Sequence, residues 1–173
     1  MIYKLLKFAD DTKIVSKVGT AEDVKVLPDD LHKLFKWSKD WQMLFNTDKI
    51  KIIHFGFNNS ESSCVLGTRT LCTVDEERDL GVLIDKTLKS SKQCAKAASS
   101  VNAVLGMIKW TFLRKSKELI LQLYKSLIRP KLEYCIEAWR PYFEKDINIL
   151  ERVQKRAAKM INGFSEFKYE TRF

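Results

Sequence analysis

Asp10 and Asp11, adjacent near the start of the chain, are the residues whose types and spacing most directly suggest chemistry. They follow Phe8-Ala9 and lie between an apolar-basic run at residues 2–7 and a second run at 12–18. Ile, Leu, Val and Tyr dominate these runs and no helix cap separates them, so both read as strands. A small Ala9 permits a tight turn, which places the two carboxylates at the tip of a hairpin. Neighbouring carboxylates repel each other unless a cation sits between or beside them. A hard divalent ion such as Mg²⁺, held by carboxylate oxygens and by substrate phosphates, suits that arrangement. The chemistry would then be metal-assisted phosphoryl transfer. The alternative is a solvated Asp-Asp turn, because Asp is common in turns for local hydrogen-bonding reasons.

The elements that must hold this tip follow it. Leu27, Leu31, Leu34, Phe35, Trp37 and Trp41 recur at helical spacing over residues 21–43. Pro28 is expected to kink that helix or to open a second one, with Asp29 and Asp30 favoured near such a start. Phe45-Asn46-Thr47-Asp48 reads as a turn. Residues 49–55 branch and alternate like a strand through Ile50, Ile52 and Ile53, and residues 58–63 form a polar loop. Residues 64–66 and 70–74 flank Gly67 as a hairpin. Residues 78–85 contain Leu80-Gly81-Val82-Leu83-Ile84, which reads as one buried strand whose glycine lets the backbone approach a neighbour. Trp37, Trp41, Met43 and Phe45 are expected to pack the helix onto the sheet. His54 is expected to be structural.

Beyond residue 85 the pattern turns helical. Ala98, Val101, Leu105, Ile108 and Phe112 share one face. Leu119, Leu123 and Leu127 mark a second helix broken at Pro130, and Ile149, Val153, Ala157 and Met160 a third that stops near Asn162-Gly163. Strands segregated from helices imply an α+β fold with its boundary near residues 85–91.

With 45% hydrophobic and 31% charged residues, the chain can bury a core. No apolar run approaches the ~20 residues needed to span a bilayer, so no membrane partner is expected. The first seven residues do not read as a secretory signal. Cys64, Cys72, Cys94 and Cys135 are scattered without a CxxC pair or zinc-type spacing, which fits reduced thiols in an intracellular protein of the cytoplasm or nucleus. The net charge of +9 is unevenly placed. Residues 86–131 hold eleven basic residues and one acid, Glu118, for a net +10, while the rest of the chain has 20 basic and 21 acidic residues and nets −1. The block includes Lys86, Lys89, Lys92, Lys96 and Lys109, then Arg114, Lys115 and Lys117, and finally Lys125, Arg129 and Lys131. A neutral body with one basic block points to a polyanion such as nucleic acid. Lys-rich solvated helix faces are the other reading.

These blocks, in this order, resemble the C-terminal part of the reverse transcriptase of non-LTR (LINE-class) retrotransposons, in the jockey-like branch. The resemblance runs from about Tyr3 to Glu170. Lys7-Phe8-Ala9-Asp10-Asp11-Thr12 matches the family's catalytic aspartate-pair motif. Trp37, Trp41-Gln42-Met43, Phe45-Asn46, Lys49 and Ile53-His54-Phe55-Gly56 match its next polymerase motif. Glu77-Arg78-Asp79-Leu80-Gly81-Val82 resembles the primer-grip segment. The runs at residues 124–135 and 150–157, with Ala138-Trp139 between them, resemble the thumb.

The resemblance implies an α+β fold: a partial polymerase palm at 1–85, of antiparallel strands with one packing helix, followed by an all-helical basic thumb at 86–173. It implies RNA-directed DNA synthesis with two Mg²⁺ or Mn²⁺ ions ~4 Å apart, one activating a 3′-hydroxyl and one stabilising pyrophosphate. Asp10 and Asp11 would be metal ligands, and Lys49 would neutralise or protonate the leaving pyrophosphate. Leu80 and Gly81 would bring backbone to the primer, and the basic block would track phosphates of an RNA template and DNA primer or of an RNA–DNA hybrid. The chain also departs from the pattern, at Pro28, at Arg140 before Pro141, and at Asn162 before Gly163. The family's earlier palm motifs, with a further metal-binding aspartate, have no match here, and Asp23, Asp29 and Asp30 fall on a helix. The expectation is therefore a palm-and-thumb fragment without polymerase activity on its own. The alternatives are a non-catalytic nucleic-acid-binding module and a relic that forms no stable product.

Overall fold

A computed structural model of the chain describes residues 3–57 and 59–160. They divide into two units: the described residues up to Glu77 with Asp85–Thr87, and Arg78–Ile84 with the described residues from Leu88 onward. The architecture is α+β, with small sheets followed by helices.

In the first unit, β1 (Tyr3–Phe8) pairs antiparallel with β2 (Asp11–Ser16), Phe8 opposite Asp11 and Leu5 opposite Ile14. The two-residue turn is possible because Ala9 takes φ +52°, a conformation normally left to glycine. Helix α1 (Ala21–Asp40) opens with a reciprocal cap. Thr20 Oγ1 accepts from the Asp23 N–H at 3.2 Å, and the Asp23 carboxylate accepts from the N–H groups of Gly19 at 2.9 Å and Thr20 at 3.0 Å. Pro28 lies inside this helix, which continues as one element to Asp40 rather than restarting. It ends in a left-handed turn at Gln42 (φ +56°), where the Met43 N–H donates to the Ser38 carbonyl at 2.8 Å.

Helix α1 covers two very short strand pairs. β3 (Lys51–Ile52) runs parallel to β6 (Cys72–Thr73), and β4 (Val65–Leu66) pairs antiparallel with β5 (Arg69–Thr70). Leu31, Cys64, Leu66 and Leu71 form the buried cluster, with Ile14, Leu27, Phe35 and Ile52 against it. Gly67, at φ +65°, sits under the Phe35 ring so closely that a Cβ would fall 2.4 Å from Cζ. Two expectations fail here. The strand over 49–55 is only two residues long, because the N–H groups of Lys49 and Ile50 are still bonded into the preceding turn. Trp37, Trp41, Met43 and Phe45 are exposed rather than core. The inward face of α1 is set by Leu27, Leu31, Phe35 and Ser38; Trp37 projects off it, and the other three lie beyond the helix end.

The chain passes between the units within the hairpin formed by β7 (Glu76–Asp79) and β8 (Val82–Asp85). The single strand expected over 78–85 is thus a hairpin. Leu80 (φ +44°) and Gly81 (φ +90°) form its turn, the two left-handed residues that a tight hairpin of matching twist requires.

The second unit holds α2 (Ser91–Thr111), α3 (Lys117–Leu123), α4 (Arg129–Glu133), α5 (Ile136–Trp139) and α6 (Glu144–Lys159). Ser116 caps α3 by accepting from the Leu119 N–H at 3.3 Å. Pro130 does not break the chain's helical course. A π-helical turn, Tyr124–Ile128, widens the backbone just before it, with the Arg129 N–H reaching back to the Tyr124 carbonyl, and Pro130 then lies in the first turn of α4. Val101, Leu105, Ile108, Ile120, Ile128, Leu132, Val153 and Ala157 make one contiguous core with Ala98. A smaller cluster joins Val82, Cys94, Ala97 and Trp139. Asp146, almost fully buried, accepts from Ser91 Oγ at 2.6 Å, and Arg156 reaches Asn102 at the same distance, so α2 and α6 lie side by side in parallel. The stop expected at Asn162-Gly163 lies outside the described residues.

All four cysteines are free. Burial pushes the Cys64 and Cys94 thiols up, which keeps them protonated and unreactive. Among the described residues no helix is long and apolar enough to cross a membrane.

Candidate functional site

The hairpin tip presents both carboxylates to solvent. Asp10 occupies the turn and Asp11 begins β2, and both are exposed beside Phe8, itself 64% exposed. Two adjacent carboxylates can supply part of the oxygen shell of a divalent cation. They do not complete one here: among the described residues no three His, Cys, Asp or Glu side chains are grouped so as to hold a metal. The nearby acids in sequence have local work. Asp23 is consumed in the α1 cap, where the Gly19 N–H above all holds its carboxyl below the usual carboxylate range, and Asp30 pairs with Lys33 at 3.0 Å.

Lys49 is exposed in the turn after Asn46, whose carbonyl accepts its N–H at 3.1 Å. It makes no ion pair with Asp10 or Asp11. Beside this turn, Asp48 pairs with Arg69 at the edge of an open cleft lined by Phe35, Phe45 and Leu66. His54 Nε2 is buried and takes no hydrogen bond.

Leu80 and Gly81 are held by their own unit. The Tyr134 hydroxyl donates to the Leu80 carbonyl at 2.8 Å, Arg78 Nε donates to the Gly81 carbonyl at 3.3 Å, and a Cβ on residue 81 would come within 3.1 Å of the Tyr134 ring. The close backbone approach expected at Gly81 therefore exists, and Tyr134 is what approaches. Tyr134 also passes the constraint on, because buried Trp139 donates from Nε1 to its carbonyl at 2.7 Å. Only the long-range packing shows this link.

The basic block is dispersed. Lys86 belongs to the first unit and pairs with Asp75 at 2.8 Å. Lys89 is exposed ahead of α2, and Lys92 and Lys96 share one exposed face of that helix. Lys109 is turned away from Lys92 by about 100°, at about 100° per residue. Arg114 and Lys115 lie in the α2–α3 connection, and Lys117 opens α3. Trp110 (89% exposed) and Leu113 (96% exposed) stand among these cations. Arg129 is occupied, its guanidinium bonded to both Glu133 carboxylate oxygens at 2.8 and 2.9 Å.

A second set of cations escaped the count along the sequence. On α6, Lys145, Arg152, Arg156 and Lys159 recur at intervals of seven, four and three residues and are all exposed. Glu144, Asp146 and Glu151 hide them in a net-charge sum, but projection onto a helix brings them onto one face.

The chain is 22% identical over 168 residues to the probable RNA-directed DNA polymerase from transposon X-element of Drosophila melanogaster, covering 94% of the chain and 18% of that protein. It is 21% identical over 163 residues to the RNA-directed DNA polymerases from mobile element jockey of Drosophila melanogaster and Drosophila funebris, covering 90% of the chain and 18% of each. No protein-family model and no solved structure matches the chain. The chain spans about a fifth of the length of these curated relatives. It is distantly homologous to RNA-directed DNA polymerases of jockey-like non-LTR retrotransposons over about 90% of its length.

Proposed function

We propose that this chain acts as the late-palm and thumb portion of an RNA-directed DNA polymerase, palm-like over 1–85 and thumb-like over 86–173, working on an RNA–DNA hybrid inside the cell. The observation that carries the reading is the exposed tip with Asp10 and Asp11 side by side, within a stretch aligned over 94% of the chain to a polymerase. When bound, divalent ions such as Mg²⁺ supply activation of a 3′-hydroxyl and stabilisation of the leaving pyrophosphate. The part left to the chain's own residues is to present the two carboxylates on a short, solvent-facing turn, with Lys49 as the candidate cation for the leaving group. Leu80 and Gly81 serve in this reading as a backbone platform for the primer, rigidified by Tyr134. The exposed cations of the second unit hold phosphates without reading sequence.

Two carboxylates are too few for a two-ion site, and the described residues bring no third group to them. The 173-residue chain by itself is therefore expected not to extend a primer on an RNA template. That same observation favours a second reading, a non-catalytic nucleic-acid-binding module. Paramagnetic Mn²⁺ separates the two. In NMR spectra of the chain, Mn²⁺ should broaden the amide signals around residues 8–12 first, and Asp10→Asn with Asp11→Asn should abolish this. Absence of selective broadening at the tip would leave only the binding module.

A further inference from the structure

We infer that the solvent face of α2 is a docking seat for an acidic amphipathic helix supplied by another protein. The inference goes beyond the nucleic-acid reading and does not depend on it. Helix α2 buries Cys94, Ala97, Ala98, Val101, Leu105 and Ile108 on one side. In a helix packed on one side only, the opposite side is expected to be polar. Over residues 103–110 it is apolar instead. Ala103, Gly106, Met107 and Trp110 recur at i, i+3, i+4 and i+7, which gathers them within an arc of about 100° opposite the buried set. Met107 is half-exposed, Trp110 is almost wholly so, and Leu113 continues the apolar surface past the helix end. A Cβ built on Gly106 would meet nothing within 4 Å, so the stripe holds a shallow open seat beside its two large side chains.

The charge around the stripe selects the partner. No Asp or Glu occurs in residues 86–117, so α2 has no carboxylate of its own. Lys92 and Lys96 point within about 20° of the Ala103 direction and extend the same face toward the helix start, about 10–17 Å from Ala103. Lys109, Arg114 and Lys115 flank the other end. An occupant therefore needs apolar side chains over Gly106 and carboxylates over Lys92 and Lys96. A helix with apolar anchors at the same i, i+3, i+4, i+7 spacing, and Asp or Glu two to three turns further along that face, meets both needs. Trp110 is a rigid anchor for such a helix, and Met107 adapts to the shape of what it meets.

Other occupants fit this face less well. A second copy of the chain brings the same acid-free face and a further net charge of +9, so the two repel. Phosphates are met by cations and hydrogen-bond donors, which Ala103, Gly106 and Met107 do not supply. A bilayer takes up a broad, protruding apolar face, whereas this one is recessed at Gly106.

The probe is a fluorescently labelled synthetic helical peptide with Leu at i, i+3, i+4 and i+7 and Glu on the adjoining turns, its binding to the full chain read by anisotropy. One control peptide scatters the same Leu residues around the helix, and another keeps the Leu pattern with Lys in place of Glu. The chain should bind the first peptide and neither control. Trp110→Ala and Gly106→Gln should each weaken binding about tenfold or more, the first by removing an anchor and the second by filling the seat. Lys92→Gln/Lys96→Gln should weaken it about threefold or more and flatten its salt dependence. Tyr142→Ser, at an exposed ring outside α2, should leave affinity within about twofold. All these changes lie outside the buried core, so helical content by circular dichroism should be equal throughout, and RNA–DNA hybrid binding should be unchanged by Trp110→Ala and Gly106→Gln. Equal binding of all three peptides, or unchanged affinity in those two variants, would overturn the inference. If those two variants instead lose hybrid binding, concentration-dependent self-association in sedimentation, or binding to phosphatidylserine vesicles, while the wild-type chain binds no peptide, the face belongs to that occupant and the inference is equally overturned.

Discussion

In the second unit, nine buried residues from α2, α3, the π turn, α4 and α6 form one contiguous core, whereas the buried cluster of the first unit is four residues held beneath one helix. In the first unit β3, β4, β5 and β6 are each two residues long, and β1 with β2 forms a two-stranded sheet with Leu5, Leu6, Phe8 and Val15 exposed. Two-stranded hairpins are marginal without packing support, and local stability follows buried apolar contact. The difference teaches where each task sits. The polyanion binding proposed for the chain needs rigidly held cations, and the exposed Lys and Arg side chains of α2 and α6 stand on the well-packed helices. In the proposed reading, the two carboxylates assigned to metal chemistry stand on the lightly supported hairpin, in an exposed turn.

The largest effect should come from the helical core. Ile108→Ala, at a side chain 1% exposed, is expected to destabilise the second unit by about 2–5 kcal/mol, measured by chemical denaturation followed by circular dichroism. Leu31→Ala removes a comparable group from the first unit and should leave hydrogen-exchange protection of α2 and α6 unchanged. Equal loss of protection in both units would show that they unfold as one and would break the comparison.

Gly67→Ala comes next. It combines φ +65° with a Cβ placed 2.4 Å from the Phe35 ring, and should cost on the order of 1–3 kcal/mol, confined to exchange at residues 64–71. Thr20→Ala should cost about 1 kcal/mol through loss of the α1 cap. The acid partner of that cap gives a pH signature. Because its N–H donors lower the Asp23 pKa from the ordinary 3.8, its stabilisation is complete above that value and is lost as pH falls through the lowered folded-state value. Asp23→Asn should therefore flatten the acid limb of first-unit stability. The smallest effect belongs to Asp10→Asn/Asp11→Asn, which should alter thermal stability by no more than about 0.5 kcal/mol, since both side chains are exposed.

The parts legible in the sequence were those with a strong local cause. The first hairpin follows from period-two patterning around a two-residue turn, and α1, α2 and α6 follow from helical periodicity. What failed depended on hydrogen bonds and packing that span elements. Ile50, Ile52 and Ile53 look like a strand, yet the Asn46 turn holds the chain through Ile50. Leu80 reads as strand interior, but Tyr134, 54 residues later, secures it as a turn. Pro130 reads as a breaker because the π turn that accommodates it leaves no local signature. At the candidate site, the aspartate pair was visible as a motif. The α6 cations were obscured in a running charge sum, because three acids on other faces of the same helix offset three of its five positive charges.

The central claim is that the helical unit engages nucleic acid through phosphates while the aspartate hairpin serves a separate, metal-dependent task. Its most direct measurement is the salt dependence of RNA–DNA hybrid binding by the full chain, with and without Asp10→Asn/Asp11→Asn, in the absence of divalent ions. The account predicts binding that weakens steeply and linearly in log–log form as salt rises, with the same slope and affinity in both proteins. Binding that is absent at low salt, indifferent to salt, or altered several-fold by the two aspartate substitutions would contradict it.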